Sequence, residues 1–91
     1  MRPMEEALSA VLREKGFRFM RRRGEVSLDD IYTAVKRRYP MLCDDNFPCI
    51  HNGVRYSGFE WQHTVRNALK SLSHKGIIQS AGEQSIWIFR G

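Results

Sequence analysis

No run of apolar residues in this 91-residue chain approaches the roughly 20 that a bilayer-spanning helix needs, so no membrane partner is expected. No secretory leader is expected either, because Met1-Arg2-Pro3 runs straight into an amphipathic segment carrying Glu5 and Glu6. The expectation is an intracellular protein, in a prokaryotic cytoplasm or, for a eukaryotic chain, in the nucleus. Cysteine is scarce. Cys43 and Cys49 are too few for a disulfide framework and are expected as thiols in a reducing compartment. Repeats, low-complexity tracts and a second-domain linker are also absent, so residues 1–91 are expected to form a single domain around one core. The most informative absence is local: from Trp61 to His74 the chain contains no carboxylate.

What that stretch does contain is ordered. At about 100° per residue, Trp61, Val65, Ala68, Leu69 and Leu72 fall in one arc and form the apolar stripe of a core-facing helix. The opposite arc carries His63, Arg66, Asn67, Lys70 and His74, a continuous row of polar and cationic groups. An ordinary solvated face mixes acids with bases, and this one does not. Together with a formal charge of +5, the row predicts a polyanionic partner, although charge alone does not separate DNA from RNA or an acidic protein.

Before this helix, the spacing of Met4, Ala7, Leu8, Val11 and Leu12 predicts a first helix over 4–15, with Gly16 just past its end. Pro3 suits its first turn, and the acids at its start and bases at its end match the helix dipole. Phe17 to Met20 reads as a loop or brief extended piece. The following Arg21-Arg22-Arg23 is either a solvated connector or an arm for phosphates. Glu25-Val26 supplies a short strand, then Ser27 caps a second helix with Asp30 reaching back to it. That helix buries Leu28, Ile31, Tyr32, Val35 and Tyr39, and Pro40 stops it. Residues 41–58 read as a long connector containing at most a helical turn, a length that is unusual inside a compact domain. After the third helix, Ile77 to Ala81 and Ser85 to Phe89 are β-prone runs around Gly82-Glu83-Gln84, a hairpin signal. In its second strand Trp87 and Phe89 share the core face, while Ile86 and Ile88 take the other and offer a surface to a partner or neighbouring domain. The chain stops soon after this strand, which fits a module of something longer.

Helix, strand, helix, connector, helix, hairpin is the element order of a winged helix. The expected fold is therefore α+β, mainly α: a three-helix winged helix-turn-helix with a C-terminal β-hairpin wing. Particular residues add to this. Ser27-Leu28-Asp29-Asp30-Ile31-Tyr32, Arg38-Tyr39-Pro40 and Trp61-Gln62-His63-Thr64-Val65-Arg66-Asn67-Ala68-Leu69 resemble the forkhead group, with its Leu-Ser-x-Ile-Tyr start, Phe-Pro helix end and Trp-Gln-Asn-Ser-Ile-Arg-His-Asn-Leu. By that resemblance the family's base-contacting asparagine falls on His63, its arginine on Arg66 and its base-contacting histidine on Asn67, with Trp61 a packing residue. The longer connector with its two cysteines departs from the pattern. Trp61, Val65, Arg66, Ala68, Leu69, Leu72, Gly76, Ile77, Ile78 and Trp87 also resemble the winged-helix modules of prokaryotic restriction endonucleases. Most of these are packing positions, so this second likeness speaks to fold and ancestry more than to function.

The expected function is recognition of double-stranded DNA, by sequence or by base modification, with the third helix in the major groove. Such a module would serve a larger DNA-acting protein, a restriction enzyme or a transcription regulator. Arg66 can fork to guanine, Asn67 can pair with adenine, and His63 can reach a base edge. Lys70, His74, Arg21, Arg22, Arg23, Gln84, Ser85 and Arg90 are the candidates for the DNA backbone. The competing reading is a protein-interaction module that uses the basic face or the hairpin. Cys43, Cys49 and His51, with His63 or His74 as a fourth group, are the candidate metal ligands, but Cys-x5-Cys-x-His is not a usual spacing and no metal or other cofactor is expected. Asp29-Asp30 and Asp44-Asp45 are acid pairs without the geometry of a metal-dependent nuclease, because neighbours on a helix do not face each other. No catalytic constellation is expected.

Overall fold

The computed structural model describes residues 2–82 and 85–90. Pro3–Lys15 forms α1, and Gly24–Ser27 is the short strand β1. Leu28–Arg38 is α2, Pro48–His51 and Val54–Phe59 are β2 and β3, Glu60–His74 is α3, and Ile78–Ser80 and Ile86–Phe89 are β4 and β5. It is an α+β chain with three helices, about half helical, and two small antiparallel sheets. None of its helices is long and apolar enough to cross a membrane among the described residues.

The helix starts follow local chemistry. Ser27 Oγ accepts from the Asp30 N–H at 3.1 Å, satisfying a donor that the first turn of α2 leaves open. The Asp30 carboxylate does not complete the expected reciprocal box; it lies 3.7 Å from Arg22, a cation the basic run brings within reach. At α3 the Gln62 side chain reaches back to the Phe59 N–H at 2.9 Å. This bond needs Gly58, whose φ is +91° and whose missing Cβ would stand 2.3 Å from the Gln62 oxygen.

Three helices share one core. α1 contributes Leu8 and Leu12, α2 Ile31 and Val35, and α3 Trp61, Val65, Ala68, Leu69 and Leu72. At about 1.5–3 kcal/mol per fully buried aliphatic side chain, the stripe of α3 outweighs any capping bond, so this helix is held by packing. In α1 the structure differs from the spacing argument: Ala7 is exposed and Glu5 is buried in its place. Arg2 explains the exchange, since its guanidinium sits 3.1 Å from the Glu5 carboxylate and 3.1 Å from Asp44.

The larger sheet has the order β1-β5-β4, pairing Val26 with Trp87 and Ser80 with Trp87. Trp87 and Phe89 are buried against the helices and Ile86 and Ile88 are half-buried on the other face, as their alternation implies. Phe17 to Met20, expected as loop or extended, contains a 3-10 turn at Arg18–Met20 that folds Phe17 onto Phe89 and Phe19 onto Tyr39.

The largest departure is residues 41–58. A 3-10 turn at Pro40–Leu42 leads into a second hairpin, β2–β3, that forms its own two-stranded sheet between α2 and α3. Asn52 and Gly53 turn it with φ of 54° and 78°, the left-handed pair that suits the twist of a two-residue hairpin.

Candidate nucleic-acid interface

The polar row of α3 lies opposite its buried stripe, as its spacing requires, but the hairpin β2–β3 divides it. Lys70 and His74 are exposed, while His63, Arg66 and Asn67 are half-buried beside the hairpin. His51, Tyr56, His63, Arg66, Asn67 and Lys70 line a cleft of about 340 Å³ between hairpin and helix. On the other flank, Arg66, Lys70, Ser73, His74, Ser80 and Trp87 line a cleft of about 370 Å³ toward β4 and β5. Neither is lined by a carboxylate. The Trp87 indole N–H is buried there without a partner among the described residues.

Arg66 is anchored within the protein. One guanidinium nitrogen donates to the Tyr32 hydroxyl at 2.8 Å and the other lies 3.4 Å from His63 Nδ1. The Tyr32 ring packs edge-on against Trp61 at 5.7 Å, and burial raises its pKa above the ordinary phenol value despite Arg66 beside it. A two-pronged grip on guanine would require Arg66 to release Tyr32. In this arrangement it ties α2 to α3 and keeps a positive charge between the two clefts. Lys70 makes no ion pair among the described residues and stands at the rim of both.

The remaining basic candidates form a separate group. Arg18, Arg21, Arg22, Arg23 and Arg90 border a groove of about 750 Å³ whose floor includes Phe17, Ile77, Ile78 and Phe89. Arg90 donates to Gln79 at 2.6 Å across the hairpin. The Ser85 side chain is exposed, and its backbone carbonyl accepts from Leu28 N–H at 2.7 Å, joining the start of β5 to the start of α2. Gln84 lies outside the described residues. The acid pair Asp44-Asp45 is occupied structurally: Asp44 meets Arg2, and Asp45 accepts from Lys36 and, at 2.8 Å, from the Trp61 indole.

A second constellation sits under the hairpin. Cys49, His51 and His63 bring their ligand atoms within 4.8 Å of one another. His51 Nε2 is 3.1 Å from Cys49 Sγ and 3.7 Å from the Glu60 carboxylate, and the two imidazole rings are 4.4 Å apart. Burial, followed by the neighbouring His51 and Arg66, holds His63 below the ordinary histidine pKa. Burial pushes the Cys49 thiol up, with Glu60 acting the same way. Cys43 does not join them. It packs in the core, where burial raises its thiol to about 11. His74 is also apart, at the other end of α3.

No protein-family model matches the chain, and no curated protein or solved structure matches it. Its chemistry is therefore read from the side chains alone. Tyr56 and Glu60 are the site residues that helix periodicity missed. Tyr56 became visible only with the hairpin, which Asn52-Gly53 announces. Glu60 lies one turn before His63 on α3.

Proposed function

We propose that the chain is a winged-helix module that binds double-stranded DNA and belongs to a larger DNA-acting protein. The observation that carries this reading is the polar row of α3 from His63 to His74, which carries no acid beyond Glu60 at the helix start, flanked by two clefts that lack carboxylates. The order of elements, with β1 completing the β4–β5 sheet behind α3, supports it. Asn67 is the base reader, because a carboxamide can pair both polar edges of adenine in the major groove. Lys70 and His74 contact phosphates. Arg66 positions the helix and contributes charge. The engaged state of Asp44 and Asp45 favours a binding module over a hydrolytic enzyme.

The test is binding to random and selected duplexes across a salt series. The logarithm of affinity should fall steeply with the logarithm of salt, and Lys70→Ala should reduce that slope by about 0.9 without changing sequence preference. Asn67→Ala should relax preference at one base pair, costing about 1–3 kcal/mol of discrimination. No binding to any duplex at low salt would overturn the reading. One observation favours a second: Ile50 on one face of the hairpin and Val54 and Tyr56 on the other are all at least half exposed, apolar groups open to protein contact. In that case replacing these three, and not Lys70, would abolish the interaction.

A further inference from the structure

We propose that the hairpin β2–β3 is fastened to α3 by a zinc ion held by Cys49, His51, His63 and Glu60. The ligand set is composed of two short-range pairs. Cys49 and His51 are two apart on β2 and so project from the same face of the strand. Glu60 and His63 are three apart in the first turn of α3 and so share one face of the helix. The pattern is Cys-x-His from a strand and Glu-x-x-His from a helix, which the spacing from Cys43 conceals.

The spacing of Cys49, His51 and His63 suits this ion, and Glu60, already 3.7 Å from His51, completes the set by a side-chain rotation. Tetrahedral zinc with bonds of about 2.0–2.3 Å keeps its donor atoms roughly 3.3–3.6 Å apart. The Cys49–His51 and His51–Glu60 separations of 3.1 and 3.7 Å bracket that value, and the Cys49–His51–His63 set lies within 4.8 Å. Cys49 is fully buried yet stands outside the hydrophobic core cluster that contains Cys43. Its thiol has His51 Nε2 at 3.1 Å and a His63 ring nitrogen within 4.8 Å. Binding is balanced: the Cys49 S–H bond breaks as the S–Zn bond forms and the proton leaves to solvent. The imidazoles donate neutral nitrogens, and two anionic ligands neutralise the dication.

The hairpin needs such a fastening. It forms a sheet of its own, and Ile50, Val54 and Tyr56 are each about half exposed. A lone two-stranded hairpin is marginal in water. A metal bond between β2 and α3 adds a tertiary anchor to the one that Phe59 makes with the core. It also sets the wall of the cleft that contains Asn67.

The experiment uses the reduced, tag-free chain. After chelation, titration with cobalt(II) should give one equivalent of a tetrahedral species with a thiolate-to-cobalt charge-transfer band, and zinc should displace it stoichiometrically. Cys49→Ser should remove the charge-transfer band and Cys43→Ala should leave it intact. His63→Ala should abolish stoichiometric binding, and Glu60→Gln should weaken zinc by at least ~10-fold. If a variant fails to fold, the unmodified chain still decides the matter, since zinc should raise its melting temperature and slow amide exchange in β2–β3. A wild-type titration with no thiolate band and no zinc-dependent protection would reduce the cluster to hydrogen bonds and overturn the proposal. That outcome would leave the salt dependence of DNA binding untouched, so the two readings fail separately.

Discussion

Asp45 links two helices through a single carboxylate. It accepts from Lys36 on α2 and from the Trp61 indole on α3, and these bonds, Lys36 first, hold its pKa below the ordinary carboxylate value. A carboxylate whose folded pKa is depressed binds fewer protons folded than unfolded, so its contribution is complete above its unfolded pKa, near 3.8, and is lost as pH falls through the lower folded value. Asp45→Asn should lower the melting temperature at neutral pH, and the gap from wild type should narrow progressively as pH falls below about 4. A gap constant over that range, measured by thermal denaturation at several pH values, would remove Asp45 from the acid response. Arg66 shows a different limit. Its helix position was readable from spacing, but its bond to Tyr32, 34 residues away in sequence, was not.

Among the elements, the hairpin β2–β3 decides most and was least legible. Strand recognition relies on alternating apolar residues, and here the inward positions are Cys49 and His51 while the outward ones include Ile50. That inversion hid the strands. The Asn52-Gly53 turn was the available signal. Gly53 adopts a φ of +78° with open space around it, so alanine there meets backbone strain and not a clash. Gly53→Ala should cost about 1 kcal/mol, localised to the hairpin. Hydrogen exchange should accelerate in β2–β3 while the core amides of α3 keep their protection. Uniform acceleration would mean that hairpin and core open as one unit.

For the whole molecule, the distribution of charge matters more than its sum. Two groups of cations border the clefts, one along α3 and one made by Arg18, Arg21, Arg22, Arg23 and Arg90 around the larger groove. Arg22 faces Asp30, whereas Arg21 and Arg23 form no ion pair among the described residues. If both groups touch one duplex, replacing Arg21 and Arg23 with alanine should reduce the salt slope by about 0.9 each and weaken all sequences equally. Sequence preference should survive, in contrast to Asn67→Ala. An unchanged slope would mark the run as a solvated connector and restrict the interface to α3.

By itself the sequence determined the three helices, the strand before the second, the C-terminal hairpin and the division of α3 into a buried and a polar face. These follow from local periodicity, capping and turn chemistry, which act over a few residues. It also determined that the row from His63 to His74 carries no acid. Tertiary structure alone decided that Glu5 is buried beneath Arg2 and that Arg66 holds Tyr32. It likewise decided that Cys49, His51 and His63 meet while Cys43 enters the core. The physical reason is the same in each case. Which polar group finds a partner depends on which elements pack together, and packing is set by the apolar core the whole chain shares.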